Sequence, residues 1–140
     1  MTPSAFNLRP SARRYEAATQ PYGLLAGLAA ALDFAGGLGR EAVYGRIQHL
    51  ASYLRTRLRQ APGVAVLDDG AWGPSPLVCF NLEGWQPQQV VDRLLAGWRI
   101  VCRSIPSPPC VRVCPHFYNM EEELDTLVEA LGKLAGEGPA

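Results

Sequence analysis

The order of helix-like and strand-like segments along this chain leaves few architectures open. Four segments have the periodicity or the capping residues of helices: 22–35, 40–60, 87–97 and a last one from 119 onward. Four shorter apolar runs have the length of strands: 64–67, 77–82, 99–103 and 110–114. This order predicts a small α/β fold (an α+β sandwich), in which a mostly antiparallel sheet is covered by helices on one face.

Residue types set the expected environment of each helix. The first is mostly Ala and Leu and meets Gly36-Gly37 at its end, so we expect it to be buried and to stop there. The second and the last carry apolar stripes: Val43, Ile47, Leu50, Leu54 and Leu58, and Leu124, Leu127, Val128, Leu131 and Leu134. Other positions of the second helix are expected to form a solvated arginine face: Arg46, Arg55, Arg57 and Arg59. Asn119 is predicted to be the N-cap of the last helix, with Glu122 completing a capping box.

A chain of 140 residues suits one domain with a sizeable core. Prolines and small polar residues without periodicity mark 1–12 as a flexible lead-in, which places the domain at 13–136 and a tail at 137–140. The apolar run 24–32 follows Arg13 and Arg14, as in a secretory signal, but Glu16 interrupts the basic region and no clear cleavage site follows. No segment approaches the roughly 20 apolar residues of a membrane span.

Charge and cysteine content narrow the class of protein. Thirteen basic and thirteen acidic residues cancel, so composition gives no electrostatic reason to expect a nucleic acid or a membrane as partner. The four cysteines lack an extracellular-type framework, which predicts reduced thiols and a cytoplasmic protein. Three of them could form a metal set with His116, namely Cys102, Cys110 and Cys114. Their spacing lacks a second convincing ligand pair, however, and burial in strands explains the cysteines, so no metal is expected.

Two arginines, Arg103 and Arg112, stand at either end of a short segment stiffened by Pro106, Pro108 and Pro109. A guanidinium group pairs bidentately with a carboxylate or a phosphate, and the prolines limit how far the distance between the two arginines can fluctuate. The segment is therefore a candidate carboxylate clamp on a proline-rich loop. From spacing alone, an exposed pair of strand arginines without a ligand is the simpler interpretation.

Two separated motifs resemble a known family. The segment Arg14-Tyr15-Glu16-Ala17-Ala18-Thr19 is similar to Arg-aromatic-Glu-x-Gly-Thr, and Phe117-Tyr118-Asn119-Met120-Glu121-Glu122-Glu123 is similar to Tyr-Asn-Thr-x-Glu-Glu. Both occur in the C-terminal part of class V aminotransferase-type enzymes, which include cysteine desulfurases and cyst(e)ine C-S lyases. The resemblance spans roughly 13–134 and implies the small C-terminal domain of a fold-type I transferase that uses pyridoxal 5'-phosphate.

The resemblance also implies roles for individual residues. Arg112 matches the arginine that holds the α-carboxylate of the amino-acid substrate, and Arg103 matches the arginine that closes the preceding strand. Thr19 matches a threonine that reaches the cofactor phosphate of the neighbouring subunit, although Ala18 replaces the usual glycine. The compact spacing looks more like the C-S lyase branch, because Cys110 lies only two residues before Arg112. Cys110 is thus a poor match for the persulfide-forming cysteine of desulfurases.

The resemblance implies that the residues that bind the cofactor covalently lie outside this chain. The domain with the Schiff-base lysine would precede residue 13, and Lys133, the single lysine, sits near the end of the last helix, where a cation complements the helix dipole. We therefore expect no catalytic residue here, an inactive chain on its own, and a homo-oligomer or a separate cofactor domain as partner. The choice among lyase, desulfurase, epimerase and transaminase stays open. The alternative function is a non-catalytic interaction module or remnant that packs on a partner subunit.

Overall fold

The computed structural model describes residues 10–15, 19–67 and 75–138. The chain divides into two compact units, Met1–Gly39 and Arg40–Ala140. The described part of the first unit contains a 3-10 turn, Ala12–Tyr15, and one helix, α1 (Tyr22–Leu38).

Helix α1 differs from the prediction in two ways. It continues through Gly36-Gly37 and ends before Gly39. Gly39 has a φ of 86°, a positive value that glycine adopts without steric cost. None of its residues is buried: Leu24 is 75% exposed and Phe34 is 68% exposed. The sequence predicted burial because the helix is apolar on all sides, but the described part of its own unit offers no second α-helix or strand for packing. No single helix among the described residues is long and apolar enough to cross a membrane, and α1 and the next helix, Arg40–Gln60, meet that test only as a broken pair.

The second unit is an α+β layer structure, as predicted. Its helices and strands follow one another as α2 (Arg40–Gln60), β1 (Val64–Val66), β2 (Val78–Leu82), α3 (Pro87–Trp98), β3 (Arg103–Pro106), β4 (Pro109–Val113) and α4 (Glu121–Glu137). The four strands form one antiparallel sheet in the order β1-β2-β4-β3. The sheet order places the β3–β4 hairpin at one edge, with β4 inside the sheet.

One face of the sheet packs against the helices. Val78, Phe80 and Leu82 of β2 are buried while Cys79 and Asn81 between them are only partly so, which is the alternation of a strand with one face in the core. The helices contribute the remaining core positions, chiefly Leu50, Leu54, Leu58, Val90, Leu94, Leu124, Leu127, Leu131 and Leu134. Most of the predicted stripes of α2 and α4 therefore line the core, and the opposite face of the sheet carries the polar residues.

Two element boundaries differ from the prediction for local reasons. Residues 99–102 are not a strand, because Arg99 takes a left-handed conformation (φ 58°) and its N–H group donates to the Leu95 carbonyl at the end of α3. The N-cap of α4 is Met120 instead of Asn119, and Glu123 instead of Glu122 accepts the hydrogen bond from the cap N–H at 3.0 Å. Asn119 instead accepts from the His116 backbone N–H at 2.8 Å, so it orders the turn before the helix.

The arginine face of α2 is not simply solvated. Arg46 donates to both carboxylate oxygens of Glu121, at 2.5 and 2.8 Å, and to the Asn119 carbonyl at 3.0 Å. Arg57 donates to Asp125 at 2.7 Å, and the Tyr53 hydroxyl donates to the same carboxylate. The bidentate geometry of the Arg46–Glu121 pair makes it stronger than an ordinary surface ion pair. These contacts hold the first turns of α4 against α2. They also hold the loop between β4 and α4, because Arg46 binds the Asn119 carbonyl.

The ion pair between Arg46 and Glu121 predicts a fold that loses stability in acid. The hydrogen bond from Arg46 holds the pKa of Glu121 at about 2, well below its ordinary value of 4.5. A carboxyl group whose pKa is depressed by folding stabilises the folded state above its unfolded pKa and loses that contribution as the pH falls through the folded pKa. We expect the urea midpoint of Glu121→Gln to change less than that of the parent chain between pH 4.5 and pH 2. A matched Glu83→Gln change, at an exposed residue, should leave the parent pH dependence intact; the prediction is wrong if both variants behave alike.

Candidate functional site

The two arginines of the predicted clamp lie on adjacent strands of a hairpin. β3 runs to Pro106 and β4 begins at Pro109, so a tight turn at Ser107-Pro108, with a cis peptide bond, replaces the predicted proline-rich loop. Arg103 and Arg112 are direct partners in the antiparallel register. The prolines thus end or begin strands at the sheet edge, where a missing N–H group is tolerated.

The register places both arginine side chains on one face of the sheet. Directly opposed residues of an antiparallel pair project to the same side, and Arg112 is opposed by Arg103 on β3 and by Cys79 on β2. Val111, the neighbour of Arg112, is fully buried in the core, so Arg112 points to the opposite face. Two cations and a thiol therefore form a row across three strands on the face away from the helices.

A cavity of about 400 Å³ opens at this row. It is lined by the start of the hairpin and the end of β4: Val101, Cys102, Arg103, Arg112, Val113 and Cys114. Arg103 is exposed, whereas Arg112 is half-buried. The Nε atom of Arg112 is buried and has no hydrogen-bond partner among the described residues. Arginine has five donors and no acceptor, so a half-buried guanidinium without a protein acceptor is suited to an anionic ligand.

Thr19, the predicted phosphate contact, is described and exposed in the first unit. Its motif neighbours Glu16 and Ala18 lie outside the described residues. The arginine pair belongs to the second unit. The role of Thr19 at a cofactor phosphate thus stays a prediction.

The cysteines have different environments. Cys110 is buried and is the register partner of Ile105, while Cys114 is exposed. Burial raises the pKa of the Cys102 thiol to about 11. Among the described residues no three His, Cys, Asp or Glu side chains are placed to hold a metal ion.

Sequence reasoning missed two features of this region. Cys114 lines the same cavity as the arginines, which its position two residues after Arg112 in an extended segment could have indicated. The Ser104 hydroxyl hydrogen-bonds to the Gln88 side chain, which ties β3 to α3 behind the arginine face. No motif in the sequence signals that pairing, since it depends on how α3 packs on the hairpin.

The single lysine is not directed at this cavity. Lys133 is exposed on α4, and its ammonium group lies over the Trp98 ring, 5.9 Å from the ring centroid. Neither residue lines the arginine cavity. The described residues therefore suit a carboxylate, but they supply no lysine for a covalent cofactor bond at the arginine cavity.

The sequence and the fold both match proteins of one family. The family profile of the class V aminotransferases matches residues 2–127. Isopenicillin N epimerase from Amycolatopsis lactamdurans is 34% identical over 109 residues, which cover 75% of this chain and 27% of the epimerase. Cysteine desulfurase from Synechococcus elongatus is 29% identical over 136 residues, covering 90% of this chain and 22% of that enzyme. The chain thus spans about a quarter of the length of these curated relatives.

Solved structures agree with this assignment. The cystine C-S lyase C-DES, in complex with its reaction product cysteine persulfide, is 32% identical with a TM-score of 0.74. The match covers 91% of this chain and 32% of the C-DES chain. A C-DES variant with glycine covalently linked to its PLP cofactor is 31% identical, with a TM-score of 0.73 over 87% of this chain and 32% of that one. The apo cysteine desulfurase of Thermococcus onnurineus NA1, with a TM-score of 0.81 but 24% identity, shares the fold over 94% of this chain and 36% of its own. The chain belongs to the class V aminotransferase family.

Proposed function

We propose that residues 13–136 are the C-terminal, substrate-carboxylate-binding portion of a PLP-dependent class V enzyme that acts on cysteine or cystine. The Schiff-base lysine would come from a cofactor domain outside this chain, and the whole enzyme would be a cytoplasmic homo-oligomer. One observation carries the proposal: Arg103 and Arg112 are register partners that line one cavity, and neither guanidinium forms an ion pair with a described residue. Arg112 is the principal ligand, and the exposed Arg103 assists it.

The contrast with the other arginines supports this role. Arg46, Arg57 and Arg93 each form an ion pair with a carboxylate of α4. No acidic residue is among the described residues that line the arginine cavity, although the chain has as many acidic as basic residues. Two neighbouring like charges repel each other, and an incoming carboxylate would relieve that repulsion while accepting charge-assisted hydrogen bonds.

The geometry favours a lyase of the C-S lyase type over a desulfurase. The hairpin turn is too short to present a mobile cysteine loop, and Cys110 is buried on β4. A desulfurase needs its exposed nucleophilic thiol on such a loop, ahead of the carboxylate-binding arginine, and the exposed Cys114 instead follows Arg112. The likeness to isopenicillin N epimerase keeps a second reaction within the family open, since the choice depends largely on the cofactor domain.

Pyridoxal phosphate would supply the electron sink for bond breaking at the α-carbon, and this chain would supply orientation. Arg112 would hold the carboxylate and thereby set which α-carbon bond faces the cofactor. Thr19 would donate its hydroxyl to the cofactor phosphate of a neighbouring subunit.

The proposal can be tested on this chain with an amino acid and its ester. We expect L-cystine to shift the Nε–H resonance of Arg112 in 15N–1H spectra, because a carboxylate close to the guanidinium polarises its N–H bonds. Cystine dimethyl ester, which keeps the amino groups and the disulfide, should produce little shift. Arg59→Gln, at an exposed position on α2, is the control and should bind cystine as the parent does. Equal shifts with acid and ester would contradict the carboxylate role.

A second candidate, a non-catalytic module that packs on a partner subunit, is favoured by α1. This helix exposes seven large apolar or aromatic side chains: Tyr22, Leu24, Leu25, Leu28, Leu32, Phe34 and Leu38. An apolar surface of this kind commonly marks an interaction site. The two functions are separable, because a module without substrate recognition would associate with a partner but would show no acid-specific shift at Arg112.

A further inference from the structure

A thiol shares the cavity with the two arginines. Cys102 and Cys114 both line it, but they differ in accessibility. Cys102 is half-buried, and burial raises the pKa of its thiol to about 11, so it remains protonated and unreactive at neutral pH. Cys114 is exposed, whereas the other three cysteines are buried or half-buried. Cys114 is therefore the thiol that a ligand in this cavity can reach.

The position of Cys114 is set by the strand that carries Arg112. Cys114 is the second residue after Arg112 and lies just past the end of β4 at Val113, and both residues line the cavity. The buried Pro115 follows, which anchors the chain just after Cys114. A ligand whose carboxylate rests on Arg112 can thus extend toward the thiol. The Arg112 guanidinium also lines the cavity, and its positive charge marks the end that attracts the anion.

Small disulfides with a carboxylate fit this arrangement. In cystine, one methylene group separates each sulfur atom from the carbon that bears the carboxylate. We infer that Cys114 is a thiol–disulfide exchange site for small carboxylate-bearing disulfides such as cystine, with Arg112 and Arg103 holding the carboxylate during attack. The inference rests on the proposed carboxylate role of the arginine pair, and it adds a covalent modification site that this role does not require.

The exchange balances without a further oxidant. The Cys114 thiolate attacks one sulfur atom of the disulfide, the ligand S–S bond breaks, and a new S–S bond joins Cys114 to one half of the ligand. The other half leaves as a thiolate and takes a proton from water. Cys114 is oxidised and the departing half is reduced. The attached half keeps its carboxylate on the arginines, so the modified chain can no longer bind a free amino acid there until a thiol releases it.

Labelling with matched donors tests the inference. We expect cystine to modify Cys114 about tenfold faster than cystine dimethyl ester at equal concentration, which is the scale of one charge-assisted hydrogen bond. Intact mass would follow the rate and peptide mapping would locate the adduct. Arg112→Gln should reduce the ratio of the two rates to about one, while Arg59→Gln should preserve it. Cys114→Ser should abolish the adduct that forms faster with cystine than with its dimethyl ester.

The outcomes separate this inference from the proposed function. If Cys114 reacts equally with both donors, or if the adduct forms at another cysteine, the exchange site is wrong. An acid-specific shift of Arg112 in the Cys114→Ser chain would then still support the carboxylate role. If neither the shift nor the rate preference is found, both proposals fail. A tenfold preference that disappears in Arg112→Gln supports both.

Discussion

Replacing Phe80 with alanine is expected to lower the free energy of unfolding of the second unit by about 3–5 kcal/mol. Phe80 is fully buried at the centre of the sheet, where it pairs with Val66 on β1 and Val111 on β4. The change removes the apolar contacts of the ring and leaves a cavity between the sheet and the helices, which close packing elsewhere cannot fill. A domain of this size has a total stability of about 5–15 kcal/mol, so the loss is a large part of the whole.

Urea unfolding followed by circular dichroism measures this effect. With a slope of about 2 kcal/mol per molar urea, the midpoint should fall by roughly 2 M. Phe34→Ala is the matched control, because it removes the same ring from a position that is 68% exposed on α1. Its effect on the second unit should stay within about 0.5 kcal/mol. Comparable losses from both substitutions would mean that the sheet does not form the core described above.

The second unit could largely be predicted because its signals are local and agree with one another. The apolar stripe of α2 predicted a helix over 40–60, and these are its observed bounds. Short apolar runs predicted strands, and the order of helices and strands predicted a mostly antiparallel sheet. These features depend on neighbours three or four residues apart, which a sequence displays directly.

The departures arise where distant residues decide local structure. Arg99 takes a left-handed conformation that the sequence would assign to glycine, because its backbone closes the end of α3. The exposure of α1 could not be predicted from its composition. An apolar helix is buried only where another α-helix or a strand packs on it, and the described part of its unit contains neither. The arginines of α2 looked solvated because Glu121 and Asp125 are far away in sequence. Packing of α4 on α2 brings these charges together.

The candidate site shows the same division. Its two arginines were identified from residue type and from the family motifs, but the expected loop between them is a hairpin, and the face they share follows only from the register. Cys114 belongs to the site because it lines the same cavity as the two arginines. Residue chemistry thus predicted the kind of ligand, whereas the arrangement that binds it depends on the sheet.

Arg112→Gln is expected to lower kcat/KM for cysteine or cystine about a hundredfold in an enzyme reconstituted from this chain and a lysine-bearing cofactor domain. Each hydrogen bond to a charged group contributes about 1.5–3 kcal/mol, and glutamine replaces the charged fork with one neutral amide. A loss of about 2.7 kcal/mol in transition-state binding corresponds to this hundredfold decrease. Arg103→Gln should cost less, because Arg103 is exposed and solvent weakens its interaction with an anion.

A substrate without the carboxylate distinguishes recognition from misfolding. The parent enzyme and Arg112→Gln should process cysteamine at nearly the same rate, since no carboxylate is present for either to hold. Arg112→Lys keeps the charge but loses the planar fork, so its kcat/KM for cysteine should lie between those of the parent and Arg112→Gln. If Arg112→Gln slows cysteamine and cysteine equally, Arg112 supports the fold or the cofactor instead of the substrate. The carboxylate assignment would then pass to Arg103, whose own variant would have to show the loss that depends on the carboxylate.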